Sequence, residues 1–539
     1  MRSILLLFLF LFISYSSSDN VLSDEETDAE VNHLLFEEFG HFDAHDHPDL
    51  YLSSPVISHK FIKILLRIHH GEANLKACIN EIIERVGSYV KFNVLQVTIA
   101  LGRRLIRSEP LLKLIISDVC SLIRRREESK ASDQLLPSVC HGVADLYSPA
   151  AFFIFTHTNV SSRDMTAVLL GPQQLGKERF EKSILNWKIP LPEKISSREF
   201  KKSTPPSKDV SKFLHLTDVH LDFKYTNGEQ VSCPLPLCCR RNQGNLMERK
   251  RQLSQEVKGA QKWGEISGDC DAPFSLGKSV LQGVNQTLSY SNNEISYVLW
   301  SGDITPHDVW ATTKQEILQT ALSWTSLLKS SLPKEKPVFP ILGNHEAFPV
   351  NMFSPADSFI PERISSKWIY REFHDNIWKE WFQEIDKENP EKTFKETGSY
   401  SVDLKQDKLK LIFLNTVYCS RKNLWNLFNP VDLGGQLSFL VKELTEAESN
   451  NQGAHIIGHL PPNNECIESW LSNYISIIDR FSDTIEGTFF GHTHLDQLYL
   501  YQSNGNSRCT AFLGGSITTF GHVNPCFKIY SMSDKVISM

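Results

Sequence analysis

The spacing of apolar positions changes character several times along the chain. Behind Arg2, Ile4 to Ile13 is an unbroken apolar run, followed by small residues from Ser14 to Ser18. The run is too short for a bilayer core, which needs about 20 residues. Residues 1–18 therefore read as a signal peptide, and no later stretch is long and apolar enough for a transmembrane helix. Residues 19–57 are acidic and polar, with His41, Asp43, His45, Asp46 and His47 close together. Nothing nearby builds a core, so this segment is expected to be disordered rather than a metal site.

From 58 to 180 the apolar residues recur at helical spacing: Ile79, Ile82, Ile83 and Val86, then Leu111, Leu112, Leu114 and Ile115, then Val139, Val143 and Leu146. Pro110, Pro137 and Pro149 mark expected helix breaks. The pattern predicts a small bundle of amphipathic helices. Cys120 ends one predicted helix and Cys140 starts the next, so a bridge between them would staple a helical hairpin. Residues 181–211 carry Pro190, Pro192, Pro205 and Pro206 among lysines and serines, the composition of an extended linker.

Over 212–539 the pattern becomes α/β. Short apolar strands each run into polar, chemically capable residues: Phe213 to Leu216 before Asp218, Tyr297 to Trp300 before Asp303, and Val338 to Ile341 before Asn344. Leu409 to Asn415, Ala454 to Ile457 and Thr488 to Phe490 behave likewise, with helical stretches at Leu318 to Leu328 and Gln436 to Glu443. Open α/β sheets build their sites at such strand ends.

Composition narrows the possibilities. The 539 residues are 41% hydrophobic and 22% charged, which is ordinary for a globular protein. A net charge of −7 gives no basic signature for nucleic acid. Eleven cysteines behind a signal peptide should mostly form disulfides, and the odd count leaves at least one unpaired. The sequons at Asn159 and Asn285 fit the same export route.

Five short motifs occur in order: Asp218-Val219-His220, Gly302-Asp303, Gly343-Asn344-His345-Glu346, Gly458-His459 and Gly491-His492-Thr493-His494. Residues two apart in an extended segment point the same way, so Asp218 and His220, or His492 and His494, are expected to share one metal ion. Carboxylate, amide oxygen and imidazole without cysteine suit zinc or another borderline divalent ion.

This order resembles the calcineurin-like metallophosphoesterases. The match narrows to the acid sphingomyelinase family through Cys233-Pro-Leu-Pro-Leu-Cys238-Cys239-Arg240-Arg241, Trp263-Gly264-Glu265 with Cys270, the Gly302-to-Trp310 string containing His307, and His455-Ile-Ile-Gly-His459-Leu-Pro-Pro. The resemblance implies a mixed β-sandwich flanked by helices, preceded by a small all-α saposin-like domain at 58–180. It also implies two zinc ions. One would take Asp218, His220, Asp303 and His494; the other would take Asp303, Asn344, His459 and His492, with Asp303 bridging them. Such a pair lowers the pKa of bound water and clamps an in-line displacement. His307 and His345 would stand near the leaving group, where an imidazolium can protonate a lipid alkoxide. The resemblance further implies disulfides Cys233–Cys238, Cys239–Cys270 and Cys419–Cys466. Cys509 and Cys526 flank a predicted hairpin and could pair, which the resemblance does not supply.

Two departures stand out. Saposin-type domains usually carry six cysteines; here there are Cys78, Cys120 and Cys140, and Ala167 stands where a partner for Cys78 would be expected. The family also continues with a cysteine-bearing helical lobe, whereas this sequence stops at Met539. The expected function is hydrolysis of sphingomyelin to ceramide and phosphocholine by zinc-bound hydroxide. A monomer would act at a membrane or lipoprotein surface, met by Arg103, Arg104, Arg107, Arg124, Arg125 and Arg126. It would be secreted, extracellular or lysosomal. The alternatives are a secreted phosphodiesterase for nucleotides or other soluble diesters, and a non-catalytic lipid-binding protein.

Overall fold

The computed structural model describes parts of residues 95–107, then 108–127, 136–194, 211–241, 259–290 and 294–538, with short gaps at 234, 358, 386–389, 504 and 534–535. The predicted signal peptide, the acidic segment with its His/Asp patch, Cys78, Arg104 and Arg107 lie outside the described residues. Contacts divide the chain into two units. One runs to Asn186 and includes Leu427–Pro430; the other holds Trp187–Asn426 and Val431–Met539.

The first unit is helical. Helices α1 (Glu109–Glu127) and α2 (Leu136–His157) are joined by the Cys120–Cys140 disulfide, whose Cα atoms are 5.4 Å apart. Leu112, Ile116, Val139, Ala144 and Ile154 of these helices are buried. Helix α3 (Ser162–Leu170) starts at Ser161, whose hydroxyl accepts the Asp164 amide hydrogen as an N-cap. Ala167 is fully buried in α3.

Two expectations fail here. Pro149 was expected to break a helix but lies inside α2. A proline in a helix interior costs about 3 kcal/mol, and burial of Ala150, Ala151, Ile154 and Phe155 beyond it offsets that cost. Arg103 was expected on a membrane-facing basic surface. Its guanidinium instead donates to the carbonyls of Val160 and Thr158, both at 2.8 Å.

The second unit is a two-sheet sandwich. One sheet has the order β11-β10-β1-β2-β3 and the other β4-β5-β6-β7-β9-β8. The strands are β1 (Ser211–Leu216), β2 (Tyr297–Trp300), β3 (Val338–Pro340), β4 (Tyr400–Leu404), β5 (Leu409–Phe413), β6 (Gly453–Ile457), β7 (Ile485–Phe490), β8 (Gln497–Ser503), β9 (Asn506–Leu513), β10 (Lys528–Ser533) and β11 (Val536–Ser538). Strands β1, β2 and β3 pair in parallel, as do β5, β6, β7 and β9; β10 and then β11 extend the first sheet antiparallel beyond β1, and β4 and β8 are antiparallel edges of the second.

Central parallel strands are covered on both faces, so β2, β5 and β6 are buried at every position. Aromatic rings join the sheets: Phe213 of β1 meets Phe489 of β7 edge-on at 5.1 Å, and Phe339 of β3 meets Phe413 of β5 at 6.0 Å. Helices α4 (Phe274–Tyr290), α5 (Lys314–Ser331), α6 (Gln436–Ser449) and α7 (Glu468–Arg480) flank the sheets. Trp324 of α5, for example, rests 5.3 Å from Trp300 of β2. Within the segment read as a linker, Ile189 donates its backbone N–H to Asn473 of α7 at 2.8 Å, and Arg480 donates to the Pro192 carbonyl.

Disulfides Cys233–Cys238, Cys239–Cys270 and Cys419–Cys466 are present in this unit. Cys509 and Cys526 are both free thiols. The hairpin they were expected to flank does not exist: Cys509 lies on β9, whereas Cys526 leads into β10 of the other sheet. Asn159 is exposed between α2 and α3, while Asn285 lies half-buried inside α4 with its amide donating to the Ser331 carbonyl.

Candidate metal centre

The parallel strands end on one side of the sandwich, and their following loops bring the motifs together. Asp218 and His220 come just after β1, Asp303 after β2, Asn344 after β3, His459 after β6, and His492 and His494 after β7. Asp218 and His220 do fall in one group of candidate ligands, though not through strand alternation, while His492 and His494, whose loop is not extended, fall in different groups. Asp218, His220, Asp303, His492 and His494 all adopt positive φ, between 41° and 72°. Such backbone is strained for non-glycine residues and persists where surroundings over-determine it. Side chains converge here because the loops curl back, not because they extend. Gly302 and Gly491 permit this: a Cβ on Gly302 would strike the Gly343 backbone, and one on Gly491 would strike Thr217 and Asp218.

Two groups of acceptor atoms result. In the first, His220 Nε2 lies 3.2 Å from His494 Nε2 and 3.7 Å from Asp218 Oδ1, and His494 Nε2 is 3.5 Å from the same oxygen. In the second, Asn344 Oδ1 is 3.0 Å from His459 Nε2 and 2.9 Å from His492 Nδ1. Asp303 stands between the groups, its Oδ2 3.5 Å from His220 and 3.0 Å from His459. Its Oδ1 is occupied by the His345 backbone N–H at 2.8 Å. Asp218, His220 and His459 are wholly buried.

The opposite ring nitrogens determine what these atoms are. His220 Nδ1 faces the Thr305 carbonyl at 2.8 Å, His459 Nδ1 the Ser301 carbonyl at 2.8 Å, and His494 Nδ1 the Phe520 carbonyl at 3.0 Å. His492 Nε2 faces the Glu465 carboxylate at 3.3 Å. Carbonyls and carboxylates only accept, so each of those nitrogens carries a proton and the nitrogen turned inward is the one that can give up its proton to a cation. The centre is thus a convergence of inward imidazole nitrogens, carboxylates and an amide oxygen, which is the donor set of a cation site. The charges agree. Burial alone would depress His220 and His459, yet Asp218 and Asp303 raise both to about 9. The centre draws positive charge.

His307 and His345 extend the cluster outward, with ring centroids 4.0 and 4.6 Å from that of His220. Phe520 stacks on His307 at 3.8 Å. His307 takes two hydrogen bonds to Asp271, from its backbone N–H at 2.7 Å and from Nδ1 at 2.8 Å. His345 Nδ1 is 3.2 Å from the Pro306 carbonyl. Nε2 of each ring is left for a ligand. A standing imidazolium was expected here. Burial instead holds His307 well below its usual value, with His220 and His494 adding to the effect, and burial does the same to His345.

Several participants were missed in the sequence. Glu346, fully buried, accepts the backbone N–H groups of Gly343, Asp303 and Ile304 and so locks two motif loops together. Burial and Asp303 push it up to about 7. Asp271 follows Cys270 and is fully buried. Arg240, next to Cys239, is buried between Asp222 at 2.8 Å and Asp308 at 2.5 Å, tying the cysteine-rich loop to the loops behind His220 and His307. The signals were present, as charged residues within two of a cysteine or a motif histidine, but a lone Asp or Arg there reads equally as a solvated turn.

Comparison with known proteins agrees with this geometry. A family model for calcineurin-like phosphoesterases matches residues 211–496. The chain is 35% identical to a sphingomyelin phosphodiesterase of Bos taurus over 74% of this chain and 60% of that protein. It is 36% identical to the Homo sapiens sphingomyelin phosphodiesterase over 74% and 59%. It is 31% identical to sphingomyelin phosphodiesterase 1 of Caenorhabditis elegans over 79% and 71%. The match thus spans about 60% of the length of the first two relatives.

Proposed function

Because this chain belongs to the calcineurin-like phosphoesterases, in the family of the sphingomyelin phosphodiesterases, we propose that it hydrolyses sphingomyelin to ceramide and phosphocholine. The observation that carries the proposal is the meeting of His459 Nε2, His492 Nδ1, Asp303 Oδ2 and Asn344 Oδ1 beside the His220–His494–Asp218 group, a donor set made for two divalent cations. Imidazoles and oxygens without thiolate favour zinc. Asp218, His220, Asp303 and His494 would hold one ion, and Asp303, Asn344, His459 and His492 the other. When bound, the pair supplies Lewis acidity that acidifies water and neutralises phosphate charge.

The rest falls to this chain's own side chains. Hydrolysis breaks the bond between phosphorus and the ceramide oxygen; water's oxygen stays on phosphocholine and the ceramide oxygen takes a proton. His307 and His345 have Nδ1 engaged by Asp271 and the Pro306 carbonyl, which leaves Nε2 as the nitrogen to meet substrate. A phosphodiester anion beside the rings brings the negative charge that lets one of them take up that proton and pass it on. Asp271 fixes the orientation of His307 and stabilises its cation. Low pH favours this loading, because both rings are held neutral without substrate.

The amphipathic region 58–180 would present the lipid. The apolar leader and the disulfides support export to the extracellular space or a lysosome. Among the described residues no helix is long and apolar enough to cross a membrane.

The test is phosphocholine release from sphingomyelin vesicles at about pH 5 and pH 7, straddling the reference histidine pKa, for wild type and His492→Ala, with and without zinc. Acid-favoured, zinc-dependent release that His492→Ala abolishes is the expected result. No release, with metal-dependent turnover of a soluble phosphodiester, would replace the lipid by a soluble substrate. A chain that takes up no metal would point to lipid binding without catalysis.

A further inference from the structure

Three of the four imidazoles of the centre have their outer nitrogen held by a backbone carbonyl; His492 differs. Its Nε2 faces the Oε2 of Glu465 at 3.3 Å, across 27 residues of sequence. A carboxylate cannot donate, so this contact requires the proton to sit on Nε2 and turns the Nδ1 lone pair towards Asn344 Oδ1, 2.9 Å away. Glu465 is itself firmly placed. The neighbouring Cys466 is bridged to Cys419, and Ser420 and Cys466 form an antiparallel bridge. The backbone N–H of Arg421 donates to the Glu465 carbonyl at 2.8 Å, and that of Ile467 donates to the Cys419 carbonyl at 2.8 Å. The Glu465 backbone N–H donates to Asn463 Oδ1 at 2.8 Å, and Lys422 Nζ stands 3.4 Å from Oε2, the oxygen that also faces His492. A two-loop clamp thus carries a carboxylate onto the outer edge of one ligand ring.

We infer that Glu465 is a positioning residue that sets the tautomer and ring angle of His492 and thereby the affinity of the Asp303–Asn344–His459–His492 group for its cation. The inference rests on the reading of this cluster as a metal centre. Outer carboxylates on ligating histidines raise ligand basicity, and their loss typically costs about 10- to 100-fold in metal affinity. Glu465 keeps about a third of its side chain in solvent. Its replacement therefore opens no cavity, and the effect on the metal is separable from folding.

The experiment titrates the full secreted chain with zinc at chelator-buffered free concentrations and counts bound zinc per chain, with the melting temperature of each zinc-free variant as a control. Wild type should take two equivalents. Glu465→Ala should need about 10- to 100-fold more free zinc for one equivalent and leave the other unmoved. Glu465→Gln, which keeps an acceptor for Nε2–H without the charge, should recover much of the loss. In a His492→Ala background the Glu465→Ala change should have no further effect, since the two act through one contact. Unchanged affinity for both equivalents in Glu465→Ala would overturn the inference, as would equal weakening of both with a lowered melting temperature in Ala and Gln variants alike. A wild type that binds no zinc would instead sink the metal centre itself, and this inference with it.

Discussion

The two acceptor groups of the centre share Asp303 but are built differently. Around His220 and His494 the outer ring nitrogens are held by the carbonyls of Thr305 and Phe520. Around His459 and His492 one is held by the Ser301 carbonyl and the other by a side chain, Glu465. The loops of the first group rest on a buried ion cluster of Arg240, Asp222 and Asp308. The second group leans on a disulfide-clamped surface loop. A backbone carbonyl survives any substitution, whereas a side chain can be removed. The first group should therefore be vulnerable through its foundations, and the second through its outer contacts.

The change with the largest expected effect removes what the groups share. Asp303→Asn should weaken zinc binding at both positions. Metal stabilisation of phosphoryl charge is worth several kcal/mol, and each 1.36 kcal/mol is tenfold in rate, so vesicle hydrolysis should fall by about 10³-fold. Zinc lost from one position only would show that the groups are not bridged. Next, Arg240→Met leaves Asp222 as a buried carboxylate without its guanidinium and Asp308 with Lys224 alone. Breaking such a cluster from one side costs about 3–5 kcal/mol, to be read from urea unfolding. Glu465→Ala should leave that unfolding curve nearly unmoved, and a similar loss in both would erase the contrast.

Asp271→Asn separates positioning of the proton donor from metal binding. It removes the carboxylate on His307 Nδ1 while touching no candidate ligand. General acid–base catalysis contributes about 10²–10⁴-fold, so kcat should fall by about 10²-fold with zinc content intact. Lost zinc would place Asp271 in the metal centre instead.

The effect that is smallest near neutral pH, and grows only as pH falls, concerns the sheets behind each group. β1 and β6 each carry a buried histidine, His215 and His455, that burial depresses to about 3. A histidine whose folded pKa lies below its unfolded value of about 6.5 adds no penalty above that pH. As pH falls from about 6.5 towards 3 the unfolded chain takes up the proton first, and stability drops by about 1.4 kcal/mol per unit. His455→Leu should flatten the acid limb of unfolding free energy against pH by about that slope. An unchanged limb would mean that the ring is already protonated when folded.

Much of this was legible along the chain. The order of strands and helices from 212 onward followed from short apolar runs ending in polar motifs, since a parallel sheet buried on both faces needs continuous apolar strands. The motif residues stood out because imidazole, carboxylate and glycine recurred at successive strand ends. What misled was local geometry. Alternation suggested extended Asp218–His220 and His492–His494 pairs, but their φ values are positive. Pro149 suggested a helix end where packing carries the helix through.

The sequence by itself therefore determined which residue types stand at the ends of which strands, because that depends on local pattern and composition. Only the tertiary structure decided which ring nitrogen faces inward, how Asp303 comes to lie between two groups, and that Asp271, Glu346 and Glu465 stand behind them. Those outcomes depend on contacts between segments distant along the chain. Glu465 lies 27 residues from His492, and Asp271 lies 36 from His307. A hydrogen bond across such distances is fixed by the packing of the sheets and leaves no mark in the spacing of neighbouring residues.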